Sequence, residues 1–530
     1  MTWFKKLNRR NKSGIENKNK VGGSQFTTDN LPQEASFGTE LDGNMSLLKD
    51  VFKDCSDLIF REFIMAQRDQ IKLALIYVDG LTNKSQVSEQ IMRALSLELP
   101  VATENEEITK ANAFHYVKMR GLCIHQIKES EKIWDAIDAI LSGDTVLLVD
   151  GHATAIINGN REWESRGIED SKTEVVIRGP REAFVETLLI NTSMIRRKIK
   201  DPNLKIEMLK LGKRTKTDVA LVYLKGIIKN ELVKEAKKRL KKIEIDGVLE
   251  SNYIEEYIVD TPRSPFSTVF NTDRPDRVAA NLLEGRLAIL VDGTPIVLTV
   301  PTFFIEIIQN PEDYYQNYQF SIAIRMLRIF TLFISLLVPP LYIAIIAYHQ
   351  EMIPTPLLLS IAAQREAVPF PLFLEVLSME IAFEILREAG LRLPRPAGQA
   401  VSIVGALIIG QAAVEAGLVA ASTVIVVALT GIASFTVYYS GNLAIRLLRF
   451  PLMFLSAFLG LFGMISGVIF LVIHLASLRS FDMPYLSPLA PSRLSSLKDT
   501  AVRVPWWAML NRPQQTSGAN SRRIKPRQEP

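Results

Sequence analysis

Cysteine is nearly absent from this chain of 530 residues, which carries only Cys55 and Cys123. Two thiols cannot build a disulfide framework or a cysteine-rich metal site, and their scarcity fits a reducing compartment. The five histidines are scattered without the regular spacing of metal ligands. We therefore predict that the protein binds no metal ion and no cofactor.

An apolar signal segment and the common catalytic motifs are also missing. The chain begins with the basic, polar stretch MTWFKKLNRRNKSGIENKNK, so secretion of the N-terminal part is not expected. It has no Walker motif ending in GKS or GKT, no G-x-S-x-G and no HExxH. These absences indicate a protein that is not an enzyme, and we expect no nucleic-acid partner.

Apolar sequence is abundant, with long apolar runs between residues 320 and 478. A run of about twenty apolar residues can cross a bilayer as a helix. Four glutamates interrupt these runs, namely Glu375, Glu380, Glu384 and Glu415. A carboxylate there costs roughly 2.5–3.5 kcal/mol, so it normally faces protein or water. We consider these residues candidates for the lining of a pore or polar path; the alternative is that they cap or pair structurally near helix ends.

The distribution of positive charge predicts the orientation of this region. Arg325 and Arg328 lie at the start of the first apolar run, whereas the loop HQEMIPTP after it has no Lys or Arg. The positive-inside rule therefore places the N-terminal part in the cytosol. Five crossings, if the segment with Glu375 to Glu384 spans, would leave the basic tail outside. Four crossings would return the tail to the cytosol, which its basic residues favour.

Composition divides the chain into five parts. Residues 1–44 are rich in Lys, Asn, Ser and Gly, and we expect a disordered basic arm. Residues 45–142 and 143–319 are predicted to form two related α/β subdomains. Residues 320–478 are predicted to form a helical multi-pass membrane domain with four to five spans, in contact with membrane lipid. Residues 479–530 form a Pro-rich basic tail.

The two subdomains are predicted from pairs of similar segments that recur in one order. IKLALIYVDGLTNKSQVSEQIMRAL, from Ile71, resembles TDVALVYLKGIIKNELVKEAKKRL, from Thr217, and each copy has the pattern of a strand, a glycine turn and a helix. ILSGDTVLLVDG, ending at Gly151, resembles LLEGRLAILVDG, ending at Gly293. In both, Asp-Gly after an apolar strand favours a hairpin turn. An internal duplication accounts for both pairs together.

Four stretches carry a specific resemblance, namely RGPREAFVETLLINTSMIRRKI, RTKTDVALVYLKGI, FNTDRPDRVAANLLEGRLAILVDGTP and MPYLSPLAP. They resemble the A subunits of GerA-type spore germinant receptors, and the similarity runs from about Met45 to Pro505 in the order of that family. The resemblance implies an integral protein of the spore inner membrane with a large cytosolic N-terminal domain. The resemblance also implies that the chain acts together with two partner subunits. The B subunit is transporter-like and binds the nutrient, and the C subunit is a lipoprotein.

The resemblance also implies that copies of the chain assemble into a homo-oligomeric ring, a pentamer, which forms a nutrient-gated ion channel. A channel needs a polar lining and subunit contacts but no catalytic residues. Two other classes stay open at this point. One is a scaffold or signalling subunit of the receptor that does not conduct ions. The other is a secondary transporter, which would also place carboxylates in broken helices.

Overall fold

The computed structural model describes residues 31–65, 70–103, 108–122, 126–162, 171, 174–392, 410–436, 439–492, 497–518 and 521–524. Two α/β subdomains come first, then a helical region, then a tail that returns to the second subdomain. The first 30 residues of the expected basic arm lie outside the described residues, as does Cys123.

The first subdomain is a five-stranded sheet with helices on both faces. Its strands run in the order β1-β2-β4-β5-β3, and every neighbouring pair is antiparallel. The strands are β1 (Leu58–Met65), β2 (Ile71–Val78), β3 (Ile127–Ser130), β4 (Thr145–Val149) and β5 (Ala155–Asn158). Its main helices are α1 (Leu41–Val51), α2 (Val87–Glu98, with wider π-type turns) and α3 (Ile133–Leu141). Shorter helices are Lys84–Gln86, Leu99–Ala102, Ala113–Tyr116 and Val117–Gly121.

The second subdomain repeats this sheet in the order β6-β7-β9-β10-β8, again antiparallel throughout. Its strands are β6 (Leu204–Leu211), β7 (Thr217–Leu224), β8 (Phe270–Thr272), β9 (Leu287–Val291) and β10 (Val297–Val300). Its helices are α4 (Leu188–Lys198), α5 (Asn230–Lys241), α6 (Ser251–Ile258) and α7 (Pro275–Leu283). The identical strand order agrees with the duplication predicted from the sequence.

The same asparagine contact occurs once in each subdomain. In α1, Asn44 accepts a hydrogen bond from Gly38 N at 2.9 Å and donates one to Gly38 O at 2.7 Å. In α4, Asn191 accepts one from Val185 N at 2.8 Å and donates one to Val185 O at 2.5 Å. Both asparagines are buried, and each fixes the segment that enters its helix. This shared contact extends the duplication beyond the segments in which sequence similarity is visible.

Two expected boundaries are wrong. The division between residues 142 and 143 would cut the first sheet, because β4 pairs with β2, and β5 pairs with β4 and β3. The expected disordered arm of residues 1–44 also reaches too far. Leu31, Phe37 and Leu41 are buried in the core of the first subdomain, since their apolar side chains pack there against the sheet and α3. The first subdomain therefore extends over the described residues from 31 to 162.

A buried ion pair joins the two subdomains. The guanidinium of Arg196, in α4, donates from Nε and Nη2 to the two carboxylate oxygens of Asp57, both at 2.9 Å. Both residues are buried, and Ser56 N donates to Ile206 O at 2.8 Å beside them. Cys55, a buried free thiol whose pKa is raised by burial, lies in the same contact. The interface therefore has one defined geometry.

The main helices described in the helical region are α8 (Tyr318–Tyr348), α9 (Thr355–Arg365), α10 (Leu372–Arg392), α11 (Ala421–Ser434) and α12 (Tyr439–Ser477). Shorter helical stretches lie at Gln350–Met352 and at residues 410–415. α8 is helical through Pro339 and Pro340, although proline inside a helix usually causes a kink. Gly417, shortly before α11, has a positive φ of 65°. Residues 393–409, part of the predicted membrane domain, lie outside the described residues.

α12 is not straight, because it reverses at Gly460, whose φ of 60° and ψ of −141° are not helical. A Cβ added to Gly467 would lie 2.5 Å from Leu452 Cδ2. In a straight helix these residues would be about 22 Å apart. α12 is therefore a hairpin whose second arm returns toward its start, and His474 near its end contacts Ser264 Oγ of the second subdomain at 3.0 Å.

The C-terminal tail, residues 497–518 and 521–524, packs on the second subdomain. Gly518 N donates to Ile227 O at 2.6 Å, in the turn after β7. Asp499 accepts a hydrogen bond from Tyr314 OH at 2.7 Å and one from Arg325 Nη1, in α8, at 2.9 Å. Burial raises the pKa of Asp499, and Arg325 opposes that rise. Both ends of the helical region and the tail therefore lie beside one subdomain.

Candidate polar path in the helical region

Glu380 forms the most deeply buried ion pair of the four candidate residues. Its Oε2 accepts a hydrogen bond from Arg449 Nη1 at 2.6 Å, and neither side chain is more than 1% exposed. Arg449 also donates from Nε to Ser335 O in α8 at 2.8 Å. One arginine of α12 therefore connects α10 and α8.

Glu384 lies one turn further along α10 and faces two arginines. Arg446 donates from Nε to Glu384 Oε1 at 3.1 Å and makes a second, shorter contact through Nη2. Arg387 Nη1 lies 3.7 Å from the same carboxylate. The Glu384 side chain is 19% exposed, so this group of charges is only partly closed from the surface of the chain.

Glu375 is held at the other end of α10 by a helix terminus. Its Oε1 accepts a hydrogen bond from Ala420 N, the residue that precedes α11, at 2.6 Å. A carboxylate is favourable there because backbone N–H groups point outward at the start of a helix. Arg365 Nε lies 3.8 Å from Glu375 Oε2. The structure thus places Glu375, Glu380 and Glu384 along one helix, each with a positive or N–H partner.

Glu415 is not part of this row. It lies outside α10, exposed at the end of a helical stretch of residues 410–415, where it accepts a hydrogen bond from Gln411 Nε2 at 2.8 Å. Sequence reasoning therefore identified three residues of one arrangement and a fourth that stands apart.

The arginine partners of these glutamates are not among the candidate residues predicted from the sequence. Arg387, Arg446 and Arg449 lie within or beside apolar runs, as the glutamates do, and this shared position was the available signal. Glutamates and arginines in such runs are expected to pair with one another. Which arginine meets which glutamate depends on contacts between helices that are far apart in the sequence.

The outer surface of the helical region is apolar. Phe458, Phe462 and Phe470 of α12 and Phe330 of α8 are all more than half exposed. Tyr318–Tyr348 is a helix long and apolar enough to cross a membrane, and Leu443–Ser477 meets the same criteria of length and apolar composition but reverses at Gly460. Apolar patches of this kind mark contact with lipid or with other subunits.

Among the residues that the structure describes, no group of three or more His, Cys, Asp or Glu side chains could hold a metal ion. The fold and its charge pairs define a class, namely a duplicated α/β domain followed by apolar helices with buried ion pairs. Residues 46–515 match the Bacillus/Clostridium GerA spore germination protein family. The chain belongs to this family.

Individual relatives agree with that assignment. The chain is 45% identical to spore germination protein KA of Bacillus subtilis (strain 168), over 89% of this chain and 86% of the relative. It is 43% identical to the uncharacterized membrane protein YfkQ of the same organism, over 94% and 95%. The N-terminal domain of the A subunit of the Bacillus megaterium spore germinant receptor GerK3 matches 52% of this chain and 99% of that chain, at 34% identity and a TM-score of 0.42.

Proposed function

We propose that this chain is the membrane subunit of a nutrient germinant receptor and triggers spore germination. Copies of the chain form an oligomeric, nutrient-gated ion channel in the spore inner membrane and act with B-type and C-type partner subunits. The observation that carries the proposal is the row of ion pairs along α10, inside a region with an apolar exterior. Membership of the GerA family supports the germination role.

The proposed path runs beside α10. Charged residues inside a membrane usually face a bundle interior or a water-filled cavity, and they mark ion pathways. Glu384 is the best candidate for contact with a passing ion, because it is partly exposed whereas Glu380 is fully buried. Because its partners are arginines, the lining carries charges of both signs. The selectivity of the path for ions would depend on the negative charge of Glu384 relative to the positive charges of Arg387 and Arg446.

The proposed topology has an even number of crossings, with the α/β domain and the tail both in the cytosol. The contact of Arg325 with Asp499 supports it, as does that of His474 with Ser264. Each contact joins one end of the helical region to groups beside the second subdomain. A tail on the opposite side of the membrane could form neither contact.

Cation release from spores tests the channel proposal. Spores that carry Glu384→Gln are exposed to nutrient, and the rate and ionic selectivity of release are compared with those of the unaltered chain. Glu388→Gln is the matched control, because Glu388 lies one turn away in an exposed pair with Arg392. We expect altered release for Glu384→Gln and unaltered release for the control. Unchanged gating and selectivity in the Gln variants of Glu375, Glu380 and Glu384 would contradict the path.

A scaffold subunit that does not conduct ions is the second candidate function. It is favoured by one specific observation, namely that each glutamate of α10 already has a partner within the chain. Such pairs could serve only to fix the helices. Planar-bilayer recordings of the purified chain, alone and with its partner subunits, distinguish the two functions, because the scaffold predicts no conductance in either case.

A further inference from the structure

A cavity of about 270 Å³ lies where the second subdomain, the segment before α8 and the tail meet. Leu283 and Ala280 of α7 form one wall, and Tyr314 forms the second. Trp506 of the tail forms the third, with its ring centroid 5.8 Å from that of Tyr314. Most of the surface area of the lining is apolar, although charged side chains also border the cavity, namely Asp276, Arg277, Glu284, Arg286, Glu306, Arg512 and Arg523. Binding sites for small molecules commonly have this character, with a few polar groups that orient the ligand.

The polar groups at the tail side of the cavity are two guanidinium groups. Arg512 donates from Nε to Leu283 O at 2.8 Å, and Arg523 donates from Nη2 to Glu284 Oε1 at 2.7 Å. The Arg523 guanidinium also lies 5.8 Å from the centre of the Trp506 ring. Burial lowers the pKa of Arg512, and the positive charge of Arg523 lowers it further. Glu284 partly offsets this effect on Arg512. The lining as a whole has four arginines and three carboxylates, so one additional negative charge beside Arg512 and Arg523 would be favourable.

The first subdomain provides a natural comparison, because α3 and α7 are equivalent helices. The sixth residue of α7 is Ala280, which lines the cavity, and the sixth residue of α3 is Asp138, which is exposed. The tail packs on the second subdomain and supplies one of the three walls there. The cavity is thus a product of the tail and of the segment that leads into α8, not a general consequence of the fold.

We propose that this cavity binds a small amphipathic anion. Its apolar body would lie against Leu283, Tyr314 and Trp506, and its anionic group would face Arg512 and Arg523. A soluble aromatic carboxylate and a fatty acid share this chemistry. Because the walls come from the domain, from the segment before α8 and from the tail, a bound anion would hold these three parts together.

The test uses the full chain in lipid nanodiscs with two probes, indole-3-propionate and octanoate, and measures their affinities by calorimetry. A ligand of this size is expected to bind at roughly 1 mM or tighter. Tighter binding of indole-3-propionate indicates a soluble aromatic ligand, and tighter binding of octanoate indicates a fatty acid. Ala280→Trp, which fills the cavity, should weaken binding about tenfold or more, whereas Asp138→Trp, the equivalent change without a cavity, should leave it unaltered.

A second comparison does not depend on the folding of Ala280→Trp. Indole-3-propionamide has the shape of indole-3-propionate without the negative charge. The unaltered chain should bind the acid more tightly than the amide, and Arg512→Gln should remove most of that preference. The proposal is overturned if neither probe binds the unaltered chain, if a folded Ala280→Trp binds as well as the unaltered chain, or if Arg512→Gln keeps the full preference for the acid.

Discussion

The two α/β subdomains have the same sheet, but different segments of the chain cover the turn after its second strand. In the first, Glu162 N donates to Leu81 O at 3.0 Å, so the turn after β2 is covered by the segment that follows β5. In the second, the equivalent turn is covered by the C-terminal tail, since Gly518 N donates to Ile227 O at 2.6 Å. Leu81 and Ile227 each follow a matched glycine of the repeat, Gly80 or Gly226.

In the first subdomain the covering segment is local, whereas in the second it comes from the end of the chain. The segment after β10, which would be the local counterpart, instead leads through Phe304–Ile307 and Pro311–Tyr314 into α8. The tail covers the turn after β7 in place of this segment. Among the described residues, the second subdomain is thereby connected to both ends of the helical region.

The largest effect is expected at the interface between the subdomains. Arg196 and Lys49 are the ninth residues of the equivalent helices α4 and α1. Arg196→Met leaves Asp57 buried without its partner and should cost about 3–5 kcal/mol in the free energy of unfolding. Lys49→Met breaks an exposed pair with Glu62 and should cost about 0–1 kcal/mol. Denaturant titration measures the free energy of unfolding of both variants. Equal losses would contradict the prediction that Arg196 contributes more to stability than its counterpart Lys49.

The matched glycines Gly80 and Gly226 should differ next. Each has a φ of 85°, so an alanine at either position carries a backbone penalty of about 1–2 kcal/mol. An added Cβ at Gly80 would lie 2.2 Å from Ser193 Oγ, whereas at Gly226 nothing lies within 4 Å. Gly80→Ala should therefore cost about 1–3 kcal/mol more in the free energy of unfolding. Similar losses for both variants would show that the side chain of Ser193 in α4 moves away from the added Cβ at little cost in free energy.

The two asparagine contacts should be equivalent. Asn44→Ala and Asn191→Ala each leave a backbone N–H and a C=O without their side-chain partner, so each should cost about 1–3 kcal/mol. Amide exchange followed separately in α1 and α4 measures the two losses. A loss confined to one helix would mean that the second copy of this contact has become dispensable.

The smallest effect on overall stability is expected where the tail docks. An added Cβ at Gly285 would lie 2.9 Å from Thr516 O, whereas at Gly293 nothing lies within 4 Å. Gly285→Ala should displace the tail and speed amide exchange at Gly518 by about tenfold, while β7 and β9 keep their protection. Gly293→Ala, which also has a positive φ, is the control and should leave Gly518 unchanged.

The sequence predicted the repeated parts of the fold better than their connections. The matches around Tyr77 and Tyr223 lie in β2 and β7, and each Asp-Gly pair follows a strand of the hairpins β4–β5 and β9–β10. These features were predictable because strand periodicity and turn chemistry are local. The edge strands were not found, since their pairing depends on long-range packing.

Only one member of each ion pair in the candidate site could be predicted from the sequence, namely the glutamate. An apolar run with Glu380 in it signals a buried charge, but its partner Arg449 lies on a different helix. The same holds for the tail, because its residue Ser517 contacts Ile228, which lies far away in the sequence. No local sequence pattern predicts such a contact. Both arrangements follow from three-dimensional packing of segments that are each unremarkable in sequence.

The most direct test of the account is a disulfide between the tail and the second subdomain. Ile228→Cys and Ser517→Cys, in a chain with Cys55→Ser and Cys123→Ser, place two thiols at an antiparallel bridge whose Cα separation suits a disulfide. In intact membranes under mild oxidation, we predict a cross-link within one chain, and because positions 228 and 517 are both buried, their thiols should resist labelling from either side. Absence of the cross-link, with the thiol at position 517 labelled only from the opposite side, would contradict it.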